Sequence, residues 1–161
     1  MISKSKKEIY LILPDIRSVY NVGAIFRTAD ACGVSKIYLT GYTPRPEDRF
    51  GRERKDVAKS ALGAEKTVPW EYREKLEDLI DELKNKGIEI VAVEQDKNSI
   101  DYKNFEVTKA TAFIFGNEVE GLSKNILTKM DRIIEIPMVG EKESLNVSVS
   151  AGIVLFRVLN V

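Results

Sequence analysis

The feature that most constrains the fold is a set of short, almost wholly apolar runs: IYLIL at 9–13, IEIVAV at 88–93 and TAFIF at 111–115. They stand between stretches of helical periodicity. A strand with one wet face alternates apolar and polar residues, whereas a strand that is apolar nearly throughout is covered by helices on both sides. The sequence therefore predicts an α/β class with a mostly parallel sheet covered by helices on both faces. Strands are expected at Ile9–Leu13, Lys36–Thr40, Ile88–Val93, Thr111–Phe115 and Arg132–Ile136. Helices are expected at Asn21–Cys32, ended by Gly33, at Asp56–Leu62 and at Glu71–Lys86, with Gly87 at the cap. In the last of these, Leu76, Leu79, Ile80 and Leu83 form the i, i+3, i+4, i+7 stripe. A short helix is expected from Ser123 and a final one from Ser144 to the C-terminus. The 161 residues are expected to form one domain, 1–161, with no added domain.

Composition removes several classes of chemistry. The chain has no histidine, and Cys32 is its one cysteine. Ser-His-Asp and Cys-His catalysis, zinc fingers and intramolecular disulfides are excluded, and no metal site is expected. Cys32 lies among apolar residues and reads as an inert core thiol. Lys and Arg number 25 and so do Asp and Glu, so any polyanion must be held by a local patch. The longest stretch free of charged residues, Ser144–Phe156, has 13 residues. That is short of the roughly 20 needed to cross a bilayer. The start, MISKSKKEIYLILP, lacks a signal-peptide pattern, and the expected location is cytoplasmic.

Ligands of open α/β sheets bind beyond the carboxyl ends of the strands. No G-x-G-x-x-G follows a strand, and Gly-Lys never occurs, so dinucleotide and P-loop readings fail. Three other segments are unusual for connectors: 18–33, 115–123 and 136–152. In the first, Val22, Ile25, Phe26, Ala29 and Cys32 share an arc of about 120° as a helix, and Arg27 lies about 160° from its centre. Arg27 is thus expected to point outward, with Gly23 clearing space for a ligand one turn earlier; a solvated arginine fits the same periodicity. Asn21 stands where the helix starts and equally suits an N-cap. In the second segment Gly116 would let a ligand approach the backbone, and Glu118 would place a carboxylate at the strand end or interact with a helix N-terminus. In the third, Ser144 and Asn146 head a helix rich in small residues, which fits contact with another subunit or tight packing within one.

Taken in order, these segments resemble the three motifs of the SpoU/TrmH family of RNA ribose 2′-O-methyltransferases, within the SPOUT superfamily. Asn21, Gly23, Arg27 and Ala29 resemble its N-x-G-x-x-x-R-x-A; Phe115–Leu122 resembles F-G-N-E-x-x-G-L; Ile136–Ser148 is similar to I-P-M-x-G-x-x-x-S-L-N-V-S. The resemblance covers about residues 9–160 and includes KSALGAEKTVPW at 59–70.

The resemblance implies a deep C-terminal trefoil knot and S-adenosyl-L-methionine bound in it. The cofactor contacts it implies are Val93, Gly116, Asn117, Ile136, Met138, Ser144, Leu145 and Asn146. It implies Arg27 as the principal catalytic residue, with Asn21, Glu118, Ser144 and Asn146 assisting. The expected substrate is the ribose of a tRNA or rRNA; the alternatives are methylation of an RNA base, a non-catalytic RNA-binding knotted dimer, or a small-molecule α/β enzyme. A homodimer is expected through Leu145, Val149, Gly152, Ile153 and Phe156 of the final helix. RNA contacts are expected from Arg49, Arg52, Arg54 and Lys59. The segment 41–55 carries five cationic against three anionic residues, with Phe50 free to stack on a base or its arginines tied up in internal ion pairs.

Overall fold

The apolar runs do become the centre of a sheet. In the computed structural model, which describes residues 6–161, the strands are Ile9–Pro14 (β1), Lys36–Thr40 (β2), Trp70–Arg73 (β3), Glu89–Val93 (β4), Ile100–Asp101 (β5), Thr111–Phe115 (β6) and Arg132–Glu135 (β7). The first five residues of the basic N-terminal stretch, in which no signal peptide is expected, lie outside the described residues. The strands form one sheet in the order β3-β2-β1-β6-β4-β7-β5, and every pairing is parallel. Helices are Val19–Cys32 (α1), Lys55–Ala61 (α2), Ala64–Thr67 (α3), Leu76–Asn85 (α4), Lys124–Thr128 (α5) and Val147–Leu159 (α6).

Alternate residues of the central strands feed two cores, as a doubly covered sheet requires. Leu11, Leu13, Val91 and Phe113 join Val22, Phe26, Ala29, Val154 and Leu155 on the face carrying α1 and α6. Ile12, Ile90, Ala92 and Ile114 join Leu79, Ile80, Leu83 and Ile126 on the face carrying α4 and α5. Cys32 is buried in the first core, and burial raises its thiol pKa, which keeps it protonated and inert.

Two expectations about elements need correction. The helix expected at Glu71–Lys86 is in fact a strand followed by a shorter helix, because Trp70–Arg73 pairs with Ile37–Thr40 of β2. Asn21 is not an N-cap: α1 starts two residues earlier, and the Ser18 hydroxyl accepts the Asn21 N–H. Asn146, by contrast, does cap α6, accepting from the Ser148 and Val149 amides.

Candidate functional site

The sheet order reverses between β1 and β6. From β1 the chain builds outward to β2 and β3; on the other side lie β6, β4, β7 and β5. Beyond the carboxyl ends of β4, β6 and β7 lies a cavity of about 400 Å³. Its wall includes the expected residues Val93, Gly116, Asn117, Ile136, Met138, Ser144 and Leu145, together with Glu118. Asn146 does not line it. The expectation missed Glu94, Glu120, Glu135 and Glu143, which also face the cavity, and no lysine or arginine lines it among the described residues. A cavity with apolar flanks and five carboxylates suits an organic ligand that carries positive charge.

Beside this cavity the three unusual segments are joined by side-chain hydrogen bonds. The Asn146 amide donates to Asn21 Oδ1 at 3.2 Å, and the Asn21 amide donates to Glu118 Oε1 at 3.0 Å. Glu118 also accepts the Arg17 N–H at 3.0 Å and the Ser18 N–H at 3.2 Å, next to the start of α1. Partial burial works to raise the Glu118 pKa, but the Arg17 amide, the Asn21 side chain and the Ser18 amide outweigh it, so the carboxyl is held below its usual range. Asn21 is buried although polar, and its place between an amide and a carboxylate satisfies both ends of its side chain.

Asn117 lines the cavity, but its side chain is engaged elsewhere. Its amide donates to the Asp15 carbonyl at 2.6 Å and to the Tyr42 hydroxyl at 2.8 Å, while Oδ1 accepts the Val119 and Glu120 amides. Asn117 thus shapes the loop.

Close packing bears on both glycines singled out in the sequence, and Gly116 lines the cavity as well. A Cβ on Gly23 would overlap Ser60 Oγ and lie 2.9 Å from the Ala61 nitrogen, so the glycine lets α2 pack against α1. A Cβ on Gly116 would lie 2.7 Å from the Gly121 carbonyl carbon, so that glycine lets loop 116–122 fold back on its own strand. Arg27 points outward as its helical position requires; it makes no hydrogen bond or ion pair among the described residues and does not line the cavity.

Of the arginines expected to meet RNA, Arg52 pairs with Asp48 at 2.8 Å and Arg54 with Asp56 at 2.7 Å. The guanidinium groups of Arg49 and Arg52 lie 4.8 and 5.0 Å from the ring centre of Phe50, which is 67% exposed. Lys59 is exposed on α2. Among the described residues no cluster of His, Cys, Asp or Glu is placed to hold a metal ion, and no helix is long and apolar enough to cross a membrane.

Comparison with known proteins identifies the family and the fold. The pattern of the SpoU rRNA Methylase family matches residues 8–156. A protein of Staphylococcus aureus (strain COL), named for the TrmH family tRNA/rRNA methyltransferases, is 37% identical over 148 residues, covering 92% of this chain and 57% of the relative. The tRNA (guanosine(18)-2′-O)-methyltransferase of Aquifex aeolicus (strain VF5) is 34% identical over 160 residues, 98% of this chain and 71% of its own. The AdoMet-bound rRNA methyltransferase of Sinorhizobium meliloti superposes with a TM-score of 0.86 at 29% identity, over 96% of this chain and 57% of that one. The chain thus spans little more than half the length of several relatives. With the family pattern running through nearly all of its sheet and through the three segments joined at Asn21, this chain belongs to the SpoU rRNA methylase family.

Proposed function

We propose that this chain is an S-adenosyl-L-methionine-dependent RNA methyltransferase that acts on a ribose 2′-hydroxyl of tRNA or rRNA. The observation that carries the reading is the Asn146–Asn21–Glu118 chain of hydrogen bonds beside a carboxylate-lined cavity. The residues fit the cofactor: Val93, Ile136, Met138 and Leu145 offer apolar surface to an adenine, and Glu120, Glu135 and Glu143 favour sulfonium and ammonium charges. The names of the Aquifex aeolicus relative and the AdoMet-bound Sinorhizobium meliloti neighbour support both parts of the proposal. The knotted threading of residues 136–146 belongs to the same reading.

When bound, S-adenosyl-L-methionine supplies a methyl group already activated on a sulfonium. What remains for the protein is to hold a ribose hydroxyl in line with that group and help it lose a proton. Glu118, fixed by two backbone amides and Asn21, is a rigid acceptor for a ribose or cofactor hydroxyl. Ser144, in the cavity wall, and Asn146, which caps α6, help to position cofactor and ribose. Arg27 acts as a cation, not as a base: its guanidinium holds a phosphate and stabilises the developing alkoxide. The proton then leaves to a phosphate oxygen or water.

Leu145, Val149 and Phe156 remain 39%, 49% and 43% exposed, and together with Gly152 and Ile153 they supply an apolar face for a homodimer that grips RNA across the pair. Sedimentation is expected to give twice the 18.2 kDa chain mass.

The deciding experiment incubates RNA with protein and labelled cofactor and identifies the methylated nucleoside by mass spectrometry. A 2′-O-methyl nucleoside is expected; a base-methylated product moves the chemistry to the base, and no product leaves an RNA-binding protein. Arg27→Ala is expected to abolish transfer while moving stability by no more than about 0.5 kcal/mol, since the side chain has no hydrogen-bond or ion-pair partner among the described residues.

A further inference from the structure

Loop 116–122, which forms one wall of the cavity, is tethered from two sides. Toward β1, Asn117 is bonded to the Asp15 carbonyl and the Tyr42 hydroxyl. Toward β4, Glu94 Oε2 accepts the Leu122 N–H at 3.0 Å, and Oε1 accepts the Gln95 N–H at 3.1 Å. The Glu94 backbone is itself fixed, its N–H donating to the Ile134 carbonyl of β7 at 3.0 Å. Gly121 makes room for this carboxylate: its φ is 65°, and a Cβ there would lie 2.5 Å from Glu94 Oε2. Asn117 and Gly121 are paired across the loop, so their tethers act on one small unit with Glu118 between them.

The geometry points to Glu94 as a positioning residue for the methyl transfer proposed above, a reading on which this inference rests. Its carboxylate clamps the far end of loop 116–122 to β4, sets the width of the cofactor cavity and keeps Glu118 aimed at Asn21. Release of Leu122 would slacken the strap that carries Glu118 while leaving the Asn117 tether in place. The role is one of reach: what counts is an acceptor oxygen at the right distance from the β4 backbone. A purely electrostatic role, attraction of the cavity's ligand by the Glu94 charge, makes the opposite demand.

Three substitutions separate the two. Glu94→Gln keeps an acceptor at full reach and loses the charge; Glu94→Asp keeps the charge and falls one methylene short; Glu94→Ala loses both. The measurements are calorimetric Kd values for S-adenosylmethionine and for S-adenosylhomocysteine, whose sulfur is neutral, together with single-turnover rate, RNA KM and thermal midpoint. A clamp predicts that Asp and Ala each weaken both ligands by about tenfold or more, lower the single-turnover rate and leave RNA KM unchanged. Gln is expected to stay within about threefold of the parent. Gly121→Ala, which presses a methyl group on the same carboxylate, is expected to follow Asp and supplies the test if Asp or Ala fails to fold. The inference is overturned if Gln behaves as Ala while Asp behaves as the parent, if only the cationic ligand is weakened, or if no variant differs from the parent. Failure of the parent protein to bind either ligand strikes the methyltransferase reading itself.

Discussion

Asn146 donates its side-chain amide to Asn21 at 3.2 Å across 125 positions of sequence, and so ties the head of α6 to the first turn of α1. Because Asn21 passes the contact on to Glu118, the amide is the common joint of three segments that approach from different strands. Asn21→Ala removes a buried hydrogen-bonded group and leaves Glu118 and Asn146 each one partner short. It is expected to cost about 1 to 3 kcal/mol of stability and to lower the single-turnover rate about 10- to 100-fold. Asn21→Asp should do more damage at pH 8 than at pH 5, since it sets a second carboxylate against Glu118, and like charges this close cannot both ionise cheaply. Rates and thermal midpoints of both variants, measured at the two pH values, check this; equal damage at the two pH values counts against the contact.

The direction of the Glu118 shift gives a pH dependence whose sign is fixed. Its carboxyl is held below the ordinary range in the folded state, so ionised Glu118 favours folding at pH values above the unfolded carboxylate pKa of about 4.3. That contribution fades as the pH falls through the folded value. Glu118→Gln lacks it at every pH. The gap in thermal midpoint between the parent and Glu118→Gln is therefore expected to be widest near neutrality and to narrow below about pH 4.3. A gap that is constant from pH 7 to pH 3 would show that the carboxylate charge contributes nothing.

Gly23 yields a prediction from packing alone. A methyl group there overlaps Ser60 Oγ and approaches the backbone of Ala61, and backbone cannot rotate away as a side-chain tip can. Gly23→Ala is expected to lower stability by about 1 to 3 kcal/mol, despite the better helix propensity of alanine. Denaturant unfolding of the variant measures the loss, and adding Ser60→Gly is expected to recover part of it.

The same glycine shows where sequence reading stops. The spacing of Val22, Ile25, Phe26, Ala29 and Cys32 sufficed for the buried face of α1, because helical periodicity is a local property. What fills the notch at Gly23 comes from Ser60, on another element, and no local pattern records it. Trp70–Arg73 was illegible for a related reason: four half-buried residues carry too little alternation, and their pairing with β2 decides the matter. Ile100–Asp101, two residues long, gives no signal at all. In the site, resemblance located Glu118, Ser144 and Asn146 without the hydrogen bonds that join Glu118 and Asn146 through Asn21. Glu94 belongs to none of the three motifs; an acidic residue directly after an apolar strand was the one sign of it in the chain.

The proposed RNA substrate requires a local cationic site, because the chain carries as many acidic as basic residues. Segment 41–55 is folded as a surface hollow of about 520 Å³ whose rim includes Arg45, Arg49, Arg52, Arg54 and Phe50. Part of its charge is already engaged: Asp48 holds Arg52, Asp56 holds Arg54, and Glu53 lies 3.5 Å from Lys66. Asp48 is kept ionised below the usual range, first by the Arg52 N–H, so this pair does not relax near neutrality. Such exposed pairs are individually weak and screened by salt, and a phosphate competes for the same guanidinium. Arg49 makes no ion pair among the described residues and lies beside the exposed ring of Phe50, which offers a stacking surface for an unpaired base. Neutralising Arg49, Arg52 and Arg54 together is expected to weaken RNA binding and to reduce the salt slope by roughly 0.7 to 0.9 for each phosphate that the variant no longer neutralises, with cofactor affinity unchanged. Arg49→Gln alone is expected to account for the largest single share, because no carboxylate has to be displaced from it first. Titrations at several salt concentrations decide the matter: an unaltered slope in the triple variant places the RNA elsewhere, with Lys59 on α2 the next residue to test.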